Sequence, residues 1–287
     1  MNDGLKENRL RGNAAFPIVL YEMPHDNLSV SAAVHWQEDV EVLFVKRGEI
    51  ELTLDSTQLI LHAEEIVWIN PGQLHGFRGL CPEAQCDILI FPIHHLLFER
   101  EDHDQQKYLR PLAEGKLGFP LHLPENSITQ QLTRQIIDLQ RHKPRAFELM
   151  TKALLLQLIW HLAQTDEFVP LRPAKHDDVC KQILTYIHQH YMERITVSDI
   201  AAAVAISPKY FSTFFAEHFF QHFTEYLRSY RIEQACALLA NTSMTIADVA
   251  LTTGFSSSSH FIQNFRTVKG MTPFTYRQGM KHTTPFD

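Results

Sequence analysis

The sequence has few cysteines, no long apolar run and no excess of basic residues. Four cysteines occur among 287 residues, and their spacing fits neither a zinc ligand set nor a disulfide framework. No apolar stretch reaches the ~18 residues that a transmembrane helix needs. The first residues are polar and of mixed charge, unlike a secretory signal. The composition therefore predicts a soluble cytoplasmic protein without a membrane partner.

The distribution of charge limits how this chain could bind nucleic acid. The formal net charge is −7 at pH 7, and the segment from residue 176 onward carries nine basic and nine acidic residues. The acidic excess therefore lies in residues 1–175. Any contact with DNA phosphates must come from locally placed basic side chains and helix N-termini, because bulk attraction is missing.

The C-terminal part of the chain contains one pattern twice, at an offset of about fifty residues. Each copy has two small residues about one helical turn apart, a serine, and two phenylalanines four residues apart. The copies are Ala201, Ala205, Ser207, Phe211 and Phe215, and then Ala250, Gly254, Ser256, Phe261 and Phe265. Small residues let two helices cross closely, and serine caps the start of a helix. Each copy therefore predicts a helix-turn-helix unit, whose second helix fits the major groove of DNA.

A segment without glycine or proline, residues 226–239, lies between the two copies and predicts a continuous linking helix. Together these segments resemble the double helix-turn-helix domain of AraC-type transcription regulators. The matching pieces are Ser207-Pro-x-Tyr-Phe-x3-Phe215, Tyr226-x4-Arg231-x3-Ala235-x2-Leu-Leu239, Ile246-Ala-Asp-Val-Ala250-x3-Gly-Phe255 and Phe261-x3-Phe265-x4-Gly270-Met-Thr-Pro273-x2-Tyr-Arg277.

The resemblance covers residues 177–280 and implies a sequence-specific DNA-binding regulator that is not an enzyme and needs no cofactor. In this family an activator, working with RNA polymerase, is more common than a repressor. One position departs from the pattern, because Phe220 stands where a glycine is expected after the first recognition helix. The second copy keeps its glycine, Gly270.

Helical spacing indicates which side chains face the DNA. Phe211, Phe214 and Phe215 should point inward on the first recognition helix, and Phe261 and Phe265 on the second. The predicted DNA-binding residues are Lys209, Ser212, Thr213 and Ala216, and then Ser257, Ser258, Ser259, Gln263, Arg266 and Lys269. The serine-rich start of the second helix lacks a long bidentate side chain, so we expect looser base selection there.

Short β-branched runs separated by turn residues fill the region from residue 28 to residue 92. The runs are residues 40–45, 50–54, 59–61, 66–69 and 87–91. They predict a small antiparallel barrel or sandwich. The expected fold class is α+β in two domains, with an N-terminal antiparallel β-barrel followed by helices and a C-terminal all-α domain.

Four polar residues of this region resemble the metal-binding motifs of the cupin barrel. They are His35, Gln37, Glu41 and His75, and Gln37 replaces one of the three histidines of that motif. A neutral amide is a poor ligand for a borderline metal, although three donors with an open position remain chemically possible. Cupin domains of AraC-type regulators generally bind an effector without metal. We therefore predict no metal and an effector pocket formed by these four residues with Trp36, Trp68 and Phe77.

The resemblance also implies the class of effector and the assembly. Related regulators with cupin domains often sense sugars, so a carbohydrate is the first effector class to consider. Two helices are predicted after the barrel, at residues 125–142 and 145–164. The second is apolar on more than one side, and the resemblance implies a homodimer through residues 125–164.

A break in composition separates the two halves of the chain. Residues 165–176 contain two prolines, mixed charges and no periodicity, which predicts a linker. The expected division is an effector-binding and dimerisation domain at residues 1–164, a DNA-binding domain at 177–280, and a tail at 281–287.

Two other functions remain open from the residues alone. A metal-dependent cupin enzyme, or a metal sensor, could carry the same DNA-binding domain and would use His35, Glu41 and His75 as ligands. A DNA-binding adaptor that needs no ligand and acts through partner proteins would show constant activity under every growth condition.

Overall fold

The N-terminal half of the computed structural model consists of two facing antiparallel sheets. The structure describes residues 15–23, 30–55, 57–123, 127–171 and 177–281. The strands are β1 (Val19–Met23), β2 (Ser31–His35), β3 (Val40–Arg47), β4 (Glu49–Leu54), β5 (Thr57–His62), β6 (Ile66–Ile69), β7 (His75–Gly79) and β8 (Gln85–Phe91). One sheet has the order β1-β8-β3-β6 and the other has the order β2-β7-β4-β5. This arrangement confirms the predicted N-terminal β-domain.

The side chains of each strand alternate between two hydrophobic clusters. Along β3, Leu43 and Val45 face the space between the sheets, whereas Val40 and Val42 face outward. This alternation follows from the period of two in a strand. Both faces of β3 are buried, so its sequence is almost continuously apolar rather than alternating.

Helices cover the outward face of the first sheet. They are α2 (Ile128–His142) and α3 (Phe147–Thr165), preceded by a connector with a 3₁₀ turn (Ile93–Leu96), a π-helical turn (Gln105–Leu109) and α1 (Arg110–Ala113). Ser127 caps α2 by accepting a hydrogen bond from Gln130 N at 3.1 Å. Both long helices begin two or three residues later than predicted, and residues 125–126 of the predicted α2 lie outside the described residues.

The predicted linker, residues 165–176, contains a piece of regular structure. Its residues Val169–Pro170 form β10, which pairs with β9 (Leu117–Gly118) beside the barrel. Residues 172–176 lie outside the described part of the chain. This pairing could not be predicted from the sequence. Proline and mixed charge are typical of a linker, and a strand of two residues shows no periodicity.

The C-terminal half is helical and contains the predicted repeat. Its helices are α4 (Asp177–His190), α5 (Val197–Ala203), α6 (Pro208–Phe219), α7 (Phe223–Asn241), α8 (Ile246–Thr252), α9 (Ser258–Lys269) and α10 (Pro273–Lys281). The two copies are α5-turn-α6 and α8-turn-α9, and α7 is the linking helix. None of the helices in the described ranges is long and apolar enough to cross a membrane.

The recognition helices α6 and α9 end in the same backbone conformation with different residues. Phe220 caps α6 in the left-handed region at φ 52°, where Gly270 caps α9 at φ 72°. The neighbouring Phe219 and Phe223 are buried, whereas Phe220 is 37% exposed. A left-handed conformation costs a residue with a side chain roughly 1–2 kcal/mol, so Phe220 is a strained position with little burial to offset the strain.

Replacing Phe220 with glycine should stabilise the protein by about 1 kcal/mol, because glycine adopts positive φ without this cost. Urea unfolding of the full chain, followed by helical circular dichroism, measures the change. Gly270→Ala is the mirror control, since no atom lies within 4 Å of a Cβ at that position and only backbone strain is added. Loss of stability in Phe220→Gly would show that the exposed ring contributes more than the strain removes.

Candidate DNA interface and effector site

The first recognition helix, α6, presents a polar face to solvent. Ser207 caps the helix by accepting a hydrogen bond from Tyr210 N at 3.2 Å. Phe211, Phe214 and Phe215 are buried. Three of the predicted DNA-binding residues, Lys209, Ser212 and Thr213, are exposed, and Ala216 is half-buried. The hydroxyls of Ser212 and Thr213 donate to carbonyls one turn earlier, at 3.1 and 3.5 Å, which leaves their lone pairs free to accept from a base.

The second recognition helix, α9, presents a longer polar surface. Ser259, Gln263 and Arg266 are exposed and line a shallow open depression together with Ile262 and Thr267. Ile262 and Thr267 are not among the residues predicted from the sequence. Ile262 lies three residues after Ser259 and Thr267 lies four after Gln263, and this helical spacing was the available signal. The exposed Ile262 offers an apolar contact for a thymine methyl group.

Three of the predicted residues on α9 have other surroundings. Ser257 is the helix cap, and its Oγ accepts a hydrogen bond from His260 N at 3.2 Å. Ser257 therefore caps α9, one residue after the Ser256 of the repeat pattern. Ser258 is half-buried. Lys269 Nζ lies 3.5 Å from Ser31 Oγ of the barrel, so its ammonium group is engaged at the barrel and not on a DNA phosphate in this conformation.

A cluster of four polar side chains lies at one end of the barrel. His35 ends β2, Glu41 lies on β3 and His75 begins β7, so two facing sheets bring them together. One potential ligand atom from each of these three residues lies within 4.8 Å of the other two. Glu41 is 2% exposed and His75 is fully buried.

Gln37 completes this polar cluster. Its Nε2 donates to Glu41 Oε2 at 3.1 Å, and its backbone carbonyl accepts from Gly72 N at 2.8 Å. Its Oε1 is buried and has no hydrogen-bond partner among the described residues. A buried acceptor of this kind is costly unless a donor reaches it, so the position favours a ligand with hydroxyl or amino groups.

The two histidines are oriented by backbone carbonyls. His35 Nδ1 lies 2.9 Å from Ala33 O, and His75 Nδ1 lies 2.9 Å from Gln73 O. A carbonyl can only accept, so each Nδ1 carries the proton. The Nε2 of His75 then faces Glu41 Oε2 at 3.4 Å. A neutral imidazole would place its lone pair against the carboxylate, and a proton, a cation or a hydrogen-bond donor of a ligand between the two atoms removes this repulsion.

His35, Glu41 and His75 fit the donor set of a divalent metal. Histidines that bind a metal through Nε2 usually donate Nδ1–H to a carbonyl or a carboxylate, as both histidines do here. Two imidazoles and one carboxylate with an open position suit a borderline metal. Gln37 makes the cluster a poorer metal site, because its Nε2 already donates a hydrogen bond to Oε2 of Glu41.

The structure separates the three predicted aromatic residues of the pocket. Phe77 lies between the sheets. Trp68 lies on the outward face of β6, stacked on Phe119 at 4.6 Å between ring centroids. Trp36 packs against the C-terminal helices, with Lys181 Nζ 4.9 Å from its ring centroid. Trp68 lies between Val67 and Ile69, which face the space between the sheets, so strand alternation turns it to the opposite face. Trp36 follows the end of β2 and packs with the C-terminal cluster. Neither side chain therefore lies among those packed between the sheets.

Comparison with known protein families assigns each half of the chain to a domain type. The family described as cupin domain matches residues 20–90, and the family described as helix-turn-helix domain matches residues 200–279. The uncharacterised regulator YdeC of Bacillus subtilis (strain 168), of the helix-turn-helix type, is 24% identical over 97% of each chain. The melibiose operon regulatory protein of Escherichia coli (strain K12) is 26% identical over 90% of this chain and 86% of that protein.

Among solved structures, ToxT from Vibrio cholerae strain SCE256 has a similar fold. Its structure with an unsaturated fatty acid bound has a TM-score of 0.51, with 13% sequence identity, over 96% of this chain and 99% of that chain. The likeness to these relatives and to this solved fold thus spans both the cupin match and the helix-turn-helix match of this chain.

Proposed function

Because this chain is an AraC-type transcription regulator, with a cupin domain before a double helix-turn-helix domain, we propose that α6 and α9 bind one DNA site together under control of an effector in the barrel. The observation that carries the DNA-binding part is the pair of exposed polar faces on α6 and α9, joined by one helix. The linking helix α7 has 19 residues, which corresponds to about 28 Å at 1.5 Å per residue. This length is close to the ~34 Å between successive major-groove segments on one face of DNA.

Arg266→Ala should weaken DNA binding for all sequences and reduce the dependence of affinity on salt by about one counterion, because Arg266 is placed to neutralise one phosphate. Fluorescence anisotropy at several salt concentrations measures both effects, with a duplex selected by the wild-type protein from a random library. Lys116→Ala, which removes one exposed positive charge of the cupin half, is the control and should change neither quantity. An unchanged salt slope in Arg266→Ala would contradict the assigned contact.

The two recognition helices are proposed to differ in base selection. Ser257 is occupied as a cap and Arg266 is assigned to a phosphate. Gln263 is therefore the long polar side chain of this surface that remains to bind a base edge bidentately, by preference adenine. Single-base substitutions across the selected site should therefore cost more under α6 than under most of α9, apart from the base that Gln263 contacts. Equal penalties under the two helices would contradict this difference.

The polar cluster in the barrel indicates what kind of effector would bind. Glu41 and the Gln37 amide oxygen are acceptors, and the carboxylate is buried. An effector carboxylate placed beside Glu41 would add like-charge repulsion, whereas hydroxyl groups would donate to both residues. We therefore propose a neutral polyhydroxylated small molecule of the carbohydrate class. The melibiose operon regulatory protein is a relative whose name includes a sugar.

A thermal-shift screen of the full chain against sugars, sugar acids and divalent metals tests this proposal, since a ligand stabilises the state that it binds. We expect neutral sugars to raise the melting midpoint and sugar acids to have less effect. The shift should disappear in Glu41→Gln. His62→Gln alters an exposed histidine outside the cluster and should keep the shift. If no compound in any class raises the midpoint, the barrel is not an effector site for these molecules.

A metal sensor is the second candidate, and the three converging donors favour it. In that case a divalent metal alone would raise the melting midpoint, and elemental analysis would find one metal per chain. His75→Gln would lose both properties. A shift with a neutral sugar and no bound metal would contradict the metal candidate.

We also propose that the protein is a homodimer that activates transcription through RNA polymerase in the cytoplasm. We propose the domain division expected from the sequence, with the cupin half extended to include β10. Four residues at helical spacing along α3 support the dimer. Leu149 and Trp160 are 72% and 55% exposed, and Ala153 and Leu156 lie between them on the same face.

Trp160→Glu should weaken the dimer by at least about 30-fold, the effect of losing a ~2 kcal/mol interface hot spot. Sedimentation equilibrium measures the association constant. The control is Ile60→Glu, which places the same charge at an exposed apolar residue on β5 and should leave the dimer intact. A monomeric wild type, or equal weakening in the two variants, would contradict an interface on α3.

A further inference from the structure

The strand β2 lies between the polar cluster and the DNA-binding half of the chain. His35 faces His75, with 4.3 Å between the ring centroids. Its neighbours Val34 and Trp36 face the opposite way and pack in one hydrophobic cluster with α4, α5 and α6. Val34 and Trp36 therefore contact the DNA-binding half, whereas His35 between them belongs to the polar cluster.

The backbone of β2 is irregular at the point where it meets α7. β2 is the edge strand of its sheet, and its pairing with β7 shifts register between Ala32 and His35. The irregular segment packs closely on β7, since a Cβ at Gly76 would lie 2.8 Å from Val34 N. Bulges of this kind leave backbone groups outside the ladder and redirect the strand.

Two side chains of the linking helix bind these backbone groups. Tyr226 Oη donates to Val34 O at 2.7 Å, and Ala33 N donates to Glu233 Oε1 at 2.9 Å. Seven residues, or two helical turns, separate Tyr226 from Glu233, so both lie on the same face of α7. Tyr226 is fully buried, and burial raises the pKa of its hydroxyl, so the group remains a protonated donor.

We propose that this double contact of β2 with Tyr226 and Glu233 transmits the state of the polar cluster to the linking helix. This inference rests on the proposed function. A ligand that moves His35 changes the bulge at Ala33 and Val34, and with it the position of α7. Since α7 sets the separation of α6 and α9, such a movement changes how well both recognition helices fit one DNA site.

A double-mutant cycle on the full-length protein tests the coupling. His75→Gln alters the cluster, and Tyr226→Phe with Glu233→Ala removes both bonds to β2 while keeping the aromatic ring. DNA affinity is measured with the duplex selected by wild type. We expect His75→Gln to change the affinity of wild type by at least about fivefold, and to change that of the Tyr226→Phe, Glu233→Ala protein by less than about twofold. An equal fold-change in DNA affinity on His75→Gln in the two backgrounds overturns the proposal.

Hydrogen exchange gives a readout that does not depend on DNA. Tyr226→Phe should speed amide exchange in residues 30–37, because the Val34 carbonyl loses its hydrogen bond to α7. Tyr276→Phe is the matched control, since Tyr276 ends the second copy of the repeat and packs on Phe265. In Tyr276→Phe, amide exchange in residues 30–37 should stay unchanged. Equal acceleration in the two variants overturns the proposal, as does unchanged exchange in Tyr226→Phe.

The outcomes separate this inference from the proposed function. If wild type selects no DNA, DNA binding and the inference both fail. If wild type binds a selected duplex and His75→Gln leaves both its affinity and the exchange of residues 223–235 unchanged, DNA regulation stands and the β2 coupling is wrong. If the Tyr226→Phe, Glu233→Ala variant has a lower melting midpoint than wild type, the Tyr226→Phe variant replaces it in the cycle.

Discussion

The alternation of side chains along the strands of the barrel organises most of this structure. Because successive residues face opposite sides, β3 contributes both to the space between the sheets and to the layer of helices that covers them. The same rule lets β2 place His35 in the polar cluster and Val34 against the C-terminal helices. Apolar burial on both faces fixes the register, since a shift by one residue would exchange the two environments of every side chain.

The carboxylate of Glu41 is almost fully buried in the cupin half, and its surroundings explain the chemistry of the site. Glu41 is removed from water and is held by the Gln37 amide and by His75. Burial of a charge without compensation is strongly unfavourable, so the cluster is stable when a positive charge or several donors reach the carboxylate. Carbohydrate hydroxyls and a divalent metal meet the same need, which is why both are candidates for one site.

The elements that could be predicted from the sequence have a strong periodic pattern of their own. The features that could not be predicted depend on which other segment of the chain they pair with or pack against. The repeat, the linking helix and the two helices after the barrel follow from helical periodicity, and capping residues locate their ends within a few residues. The strands β2 and β7 have no such pattern, since Ser31–His35 and His75–Gly79 contain small and polar residues. Without β2 and its pairing, the face of Trp36 could not be assigned. The contact of Lys269 with Ser31 joins residues 238 positions apart and has no local signal.

The two helix-turn-helix units, although similar in sequence, are attached to the barrel in different ways. Val34 and Leu74 of the barrel belong to the hydrophobic cluster of the first unit, so separating that unit would expose apolar surface to water. The cluster of the second unit contains only residues of the C-terminal half within the described part of the chain. The second unit is joined to the barrel through α7 and the polar contact of Lys269. If β2 moved slightly, the first unit would therefore stay fixed on the barrel. The position of α9 would then depend on how α7 is held.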